Sequence, residues 1–142
     1  MKAMLCTAYG PPDSLVLQEV PRAPLGEHDV RIGVHAAGVN FPDLLIIQGL
    51  YQFKPALPFA PGGEVAGEVL ETGAAVTDFA VGDRVIGMTR WNGYAEEAVV
   101  PGHRCVAIPP STDLAVAAGL ALTYGTSCHA LVQRAALQPN ET

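Results

Sequence analysis

The run Pro58-Phe59-Ala60-Pro61-Gly62-Gly63-Glu64-Val65-Ala66-Gly67-Glu68-Val69 governs how the rest of the chain reads. Two prolines and two adjacent glycines break regular structure in its first half. From Glu64 to Glu71 the valines return and a strand is expected. Glu64 therefore sits where a tight turn enters a strand. A carboxylate buried in such a turn needs hydrogen-bond partners. Gly62, Gly63 and Gly67 are expected to serve backbone geometry rather than ligand contact.

The flanks repeat the pattern of short strands and turns. Val30, Ile32 and Val34 alternate with Arg31, Gly33 and His35, as in a half-buried strand. Leu15 to Val20, Arg84 to Met88, Tyr94 to Val100 and Cys105 to Ile108 read as further strands. Asn40-Phe41-Pro42-Asp43 has the N-cap, first-turn proline and early acid of a helix start. The short helix Leu44 to Gln48 would stop at Gly49, and residues 50–62 read as an ordered loop. Near the far end, Leu120, Tyr124, Cys128, Leu131, Val132 and Ala135 share one helical face. Ser111 or Thr112 would cap the approach and Pro139-Asn140 would end it.

Composition narrows the function classes. Of 142 residues, 49% are hydrophobic and 15% charged, which suits one folded domain rather than a disordered chain. A net charge of −6 and the lack of a basic stripe argue against nucleic acid. No apolar run is long enough to span a membrane, and the start lacks a signal-peptide pattern, so a cytoplasmic protein is expected. Cys6, Cys105 and Cys128 are too scattered for a disulfide framework or a CxxC site and are expected as small buried side chains. His28, His35, His103 and His129 lack ligand spacing and are expected to be exposed or locally bonded.

Six motifs in order carry a resemblance. GVNFPD (Gly38 to Asp43), GLY (Gly49 to Tyr51), PFAPGGEVAGEV, VGDRVIG (Val81 to Gly87), GYAEEAVVP (Gly93 to Pro101) and ALTYGTSCHAL (Ala121 to Leu131) cover nearly the whole chain. Together they resemble the N-terminal catalytic domain of medium-chain dehydrogenase/reductases, in the quinone oxidoreductase branch. The resemblance implies a mainly β fold with short helices, a GroES-like partly open β-barrel. Residues 1–119 would be that domain; residues 120–142 would be a helix leading into a Rossmann domain. No GxGxxG occurs, so the chain is expected to be a truncated piece whose nucleotide-binding half lies elsewhere.

The resemblance also implies the chemistry. Zinc-dependent relatives carry a ligand at the positions of Asn40 and Gly63, where this chain has an amide and no side chain. A zinc-free site is expected, and with it hydride transfer from NADPH or NADH to a quinone or α,β-unsaturated carbonyl rather than alcohol oxidation. Asn40 would face nicotinamide and substrate as donor and acceptor, or serve as a plain N-cap. Tyr51 would hydrogen-bond the developing enolate or quinol oxygen, or merely pack against Phe53 or Phe59. Phe41 would form an apolar wall to the cofactor, or belong to the core. Asp43 would lie near the cofactor, or only steady a helix end. Thr123 would reach the nicotinamide carboxamide, or be an ordinary helix-start hydroxyl. Glu64 would support these groups from behind. Trp91 stands at the rim without an assigned role.

Two rivals remain open. An enoyl-thioester reductase of the same superfamily would use the same hydride chemistry in a larger acyl pocket. A non-catalytic GroES-like module would use none of it. The apolar face of Leu120 to Ala135 is expected to self-associate, with a homodimer as one outcome, or to pack back on the barrel.

Overall fold

A computed structural model of the chain describes residues 1–141. The fold is mainly β with few short helices, as expected, and its main sheet curls into a half-barrel. β1 (Lys2–Leu5) and β2 (Val16–Glu19) form an antiparallel ribbon. β3 (Asp29–Ala37), β4 (Glu64–Thr72), β5 (Arg84–Met88), β6 (Glu97–Pro101) and β7 (Cys105–Ala107) make the main sheet, in the order β6-β3-β4-β5-β7. Every pairing in it is antiparallel. Register shifts between Arg31 and Ile32 and between Val34 and Ala36 bend β3 against β4.

The alternation of β3 is the physical reason for the core. Val30 and Ile32 are buried with Val65, Val69, Val85, Ala98, Val100 and Cys105. Arg31, on the other face, is buried as well, against the solvent-facing expectation. It survives burial because its guanidinium donates to Glu71 at 2.9 Å and to the Ala23 carbonyl at 2.9 Å, with Glu97 at 3.5 Å. β2 is exposed along all four residues, although its sequence alternates. It pairs only with β1 and has no second layer to cover its apolar side. The β6 strand starts later than Tyr94; Ala95 makes only a single bridge to Ala3.

α1 (Phe41–Ile47) follows the Asn40 cap and buries Ile46 and Ile47 against Cys6 and Phe59. The expected helix of Leu120 to Ala135 is present over Ala121–Arg134, and a separate short helix precedes it. α2 (Leu114–Ala118) is capped by Asp113, whose carboxylate accepts from Val116 N, so neither Ser111 nor Thr112 is the cap. It ends at Gly119, and its Ala117 and Ala118 pack on Ala66 and Ile86. α3 (Ala121–Cys128) then continues into a wider turn over His129–Arg134. Only Ala121 and Leu122 of this stretch are half-buried. The expected packing of the apolar face onto the barrel does not occur: Tyr124, Leu131 and Val132 are exposed. Cys128 is exposed too, which corrects the expectation of three buried thiols; Cys6 and Cys105 are buried. Among the described residues no helix is long and apolar enough to cross a membrane.

Candidate active-site cleft

Strand β4 begins at the decisive turn, and that turn builds the site. Gly62 has φ +100°, and a Cβ there would lie 2.5 Å from Cδ1 of Tyr94, so the position excludes a side chain twice over. Gly63, next along, is different. A Cβ on Gly63 would meet only Leu122 Cδ1, at 3.9 Å. Its bare backbone lines a cleft of about 510 Å³ bounded by α1, the loop after it and the ends of β5 and β7. Pro42, Ile46, Phe53, Met88 and Val106 supply apolar surface there.

Glu64 organises the floor. It is fully buried. One carboxylate oxygen accepts from Asn40 Nδ2 at 2.9 Å, the other from Leu122 N–H at 2.8 Å. The partners that a buried carboxylate requires are thus supplied, and the start of α3 is tied to the turn. Asn40 lines the cleft with its amide nitrogen bonded to Glu64 and its backbone N–H bonded to Asp43.

Asp43 makes a second buried cluster. One oxygen accepts from Asn40 N–H at 2.9 Å and from the Tyr94 hydroxyl at 3.2 Å; the other accepts from Gly62 N–H at 3.2 Å. Asp43 therefore closes the helix start onto the glycine turn. Burial, and then the neighbouring Asp43 carboxylate, raise the Tyr94 pKa well above the ordinary tyrosine value. Tyr94 stays protonated as a donor. Tyr51 lines the cleft with its ring edge-on to Phe53, centroids 4.9 Å apart, and backs onto the Ile46–Phe59 cluster. Its packing role is realised, and it still borders the cleft.

The structure brings Asn40, Asp43 and Tyr51 to one cleft. Phe41 and Thr123 stand outside its lining. Phe41 is 70% exposed at the first position of α1. The Thr123 hydroxyl donates to the Gly119 carbonyl at 2.6 Å and is exposed. Tyr94, Arg90 and Arg104 carried no expected role, and His103 was expected only as an exposed or locally bonded histidine. Tyr94 had one readable signal, an aromatic after Gly93 in a quoted motif. The other three reach the cleft only through the pairing of β5 with β7. His28 lies 3.2 Å from Glu27 and His129 bonds Gln133 at 2.7 Å, in line with the expected local roles. Among the described residues no group of three or more His, Cys, Asp or Glu side chains could hold a metal.

The curled main sheet with few short helices is a GroES-like arrangement. Residues 26–110 match the alcohol dehydrogenase GroES-like domain, and the chain belongs to that family. Among its relatives, quinone oxidoreductase-like protein 2 of Bos taurus is 45% identical over 141 residues, which are 99% of this chain and 40% of that protein. The chain thus spans about 40% of the length of such curated relatives. The structure of Escherichia coli quinone oxidoreductase complexed with NADPH superposes with TM-score 0.85 and 26% identity, over 95% of this chain and 41% of that one. CurK enoyl reductase superposes with TM-score 0.89 and 30% identity, over 99% of this chain and 45% of that one. The relatives are oxidoreductases, and the superfamily resemblance carried by the six motifs holds.

Proposed function

We propose that this chain forms the substrate-side wall of a zinc-independent reductase in which hydride passes from NADPH or NADH to a quinone or α,β-unsaturated carbonyl. One observation carries the proposal: the cleft floor pairs the bare Gly63 with an Asn40 amide locked by buried Glu64. At the two positions where zinc relatives hold ligands, this chain offers an engaged amide and no side chain. The donor set suits a planar organic group better than a metal.

The open space over Gly63 and the Asn40 side chain beside it fit the carboxamide end of a nicotinamide. A reduced nicotinamide supplies the hydride when bound. Asn40 orients it by hydrogen bonding, and Glu64 holds the Asn40 side chain in place. Tyr51 is assigned the donor to the acceptor oxygen, where negative charge develops. The apolar wall of Pro42, Ile46 and Met88 excludes water from the reacting centre. Asp43 is a positioning residue, since its oxygens hold the helix start and the glycine turn. Phe41 and Thr123 remain assigned to the cofactor through the resemblance; their exposure leaves them open to a group bound across the cleft.

An enoyl-thioester acceptor is a second reading, supported by the likeness to CurK enoyl reductase. NADPH consumption by the protein that carries this chain, measured with menadione, an aryl enone and crotonyl thioesters, separates the two. Turnover of menadione or the enone supports the first; turnover of thioesters alone replaces it with the second.

A further inference from the structure

We infer that Arg90 and Arg104 form a site at the cleft mouth for an anionic group on the acceptor. The inference rests on the cleft being the acceptor site.

The chain carries 14 acidic residues against 8 Lys and Arg. Yet Arg90 and Arg104 both line this cleft, with His103 beside them. Among the described residues neither guanidinium has a carboxylate within 4.0 Å; the ion pairs involve Arg22, His28 and Arg31 instead. Arg84 shows the contrast. It is engaged by the carbonyls of Pro109, Pro110 and Thr112, so it serves the fold. No such bond occupies Arg90 or Arg104.

The acidic groups of the cleft are turned elsewhere: Asp43, the sole carboxylate among the lining residues, accepts from Asn40, Tyr94 and Gly62, Glu64 beneath it accepts from Asn40 and Leu122, and neither pairs with Arg90 or Arg104. Exposed Lys54 extends the positive rim, since it shares an adjoining recess with Phe53, Arg90 and Trp91. The cleft is apolar within and cationic at its mouth. That pattern suits an amphiphilic acceptor, with a ring or acyl group inside and a carboxylate, sulfonate or phosphate outside. A guanidinium fork matches the oxygens of all three. A positive mouth on an acidic protein also draws such an acceptor in.

The test is an NMR titration of the 142-residue chain with anthraquinone-2-sulfonate and with its neutral analogue anthraquinone-2-sulfonamide. Neither ring system offers an open alkene position to the exposed Cys128 thiol. We expect the sulfonate to bind about five- to tenfold more tightly at low salt. The preference should shrink as salt rises and vanish in the double variant Arg90→Gln/Arg104→Gln. Backbone amides at Arg90 and Arg104 should shift only with the sulfonate, those at Ile46 and Tyr51 with both. Equal affinity for the two rings, or a preference that survives the double variant, overturns the anion site while leaving the cleft assignment intact. Sulfonate shifts confined to the arginines, with no response at Tyr51 to either ring, overturn the cleft assignment instead. Failure of both compounds to bind overturns both. Inorganic diphosphate is the control for a cofactor phosphate: if it binds at the arginines more tightly than the sulfonate, the site does not belong to the acceptor.

Discussion

Replacing Glu64 by Gln changes almost no volume, so its effect isolates the polar role of this side chain. Glu64 is fully buried and accepts from Asn40 Nδ2 and Leu122 N–H, one bond on each oxygen. A glutamine keeps one acceptor and turns an NH2 group against a donor. Losing a charge-assisted bond costs about 1.5–3 kcal/mol, and the orphaned N–H costs about 1–3 kcal/mol more. Burying a neutral amide in place of a carboxylate returns part of that. The expected net loss is about 3 kcal/mol, or a fall in Tm of about 10 °C for a chain of this size. Thermal denaturation followed by circular dichroism reads it. A cycle with Asn40→Ala should show a coupling of about 1–2 kcal/mol, because both side chains share one bond. The Asn40 side-chain NH2 signals should also move in Glu64→Gln. A variant within about 0.5 kcal/mol of the parent, or strict additivity in the cycle, would refute the claim that Glu64 locks Asn40.

The adjacent glycines should respond in opposite ways. Gly62→Ala forces a Cβ to 2.5 Å from the Tyr94 ring at a φ of +100° and should cost about 3 kcal/mol or abolish folding, whereas Gly63→Ala meets only Leu122 and should stay within about 1 kcal/mol by chemical denaturation. Tyr94 holds its proton more tightly in the folded chain than when unfolded. Stability from this group is therefore full below the ordinary tyrosine pKa of about 10 and falls as pH rises beyond it. Tyr94→Phe should remove that alkaline decline, apart from a residual from Cys105 and Cys6, and cost about 1 kcal/mol at neutral pH; an unchanged alkaline limb counts against the buried bond to Asp43. Cys105 is pushed up to about 11 by burial, and Cys6 is raised by the same cause. A thiol reagent at neutral pH should therefore label Cys128 alone in the native chain and all three thiols in denaturant; rapid labelling of three in the native chain contradicts the buried positions.

Much of the fold was legible because its signals are local. The alternation of Val30, Ile32 and Val34 carried β3, and Asn40-Phe41-Pro42-Asp43 carried the start of α1. What failed depends on neighbours far along the chain. β2 alternates like a half-buried strand but has no layer to cover it, and Arg31 is buried because Glu71, Glu97 and Ala23 happen to surround it. The helical period from Leu120 onward was real, but the short helix before it, capped by Asp113 and ended at Gly119, was not read. Within the site, Asn40, Asp43 and Tyr51 could be named through the motif resemblance, and they line one cleft. Arg90 and Arg104 could not, because only the pairing of β5 with β7 sets them at one mouth. Nor could the sequence show that Glu64, 24 positions away, holds the Asn40 side chain.

The central claim concerns the cleft built on Asn40, Glu64 and the bare Gly63, as a reductase site that needs no zinc. The most direct measurement is NADPH-dependent reduction of menadione by the protein that carries this chain, before and after exhaustive chelation. A site that needs no zinc should give turnover that chelation leaves unchanged and that Tyr51→Phe lowers about tenfold or more in kcat. Turnover lost on chelation and restored by zinc would contradict it, as would an intact protein that oxidises NADPH with neither quinone nor unsaturated carbonyl.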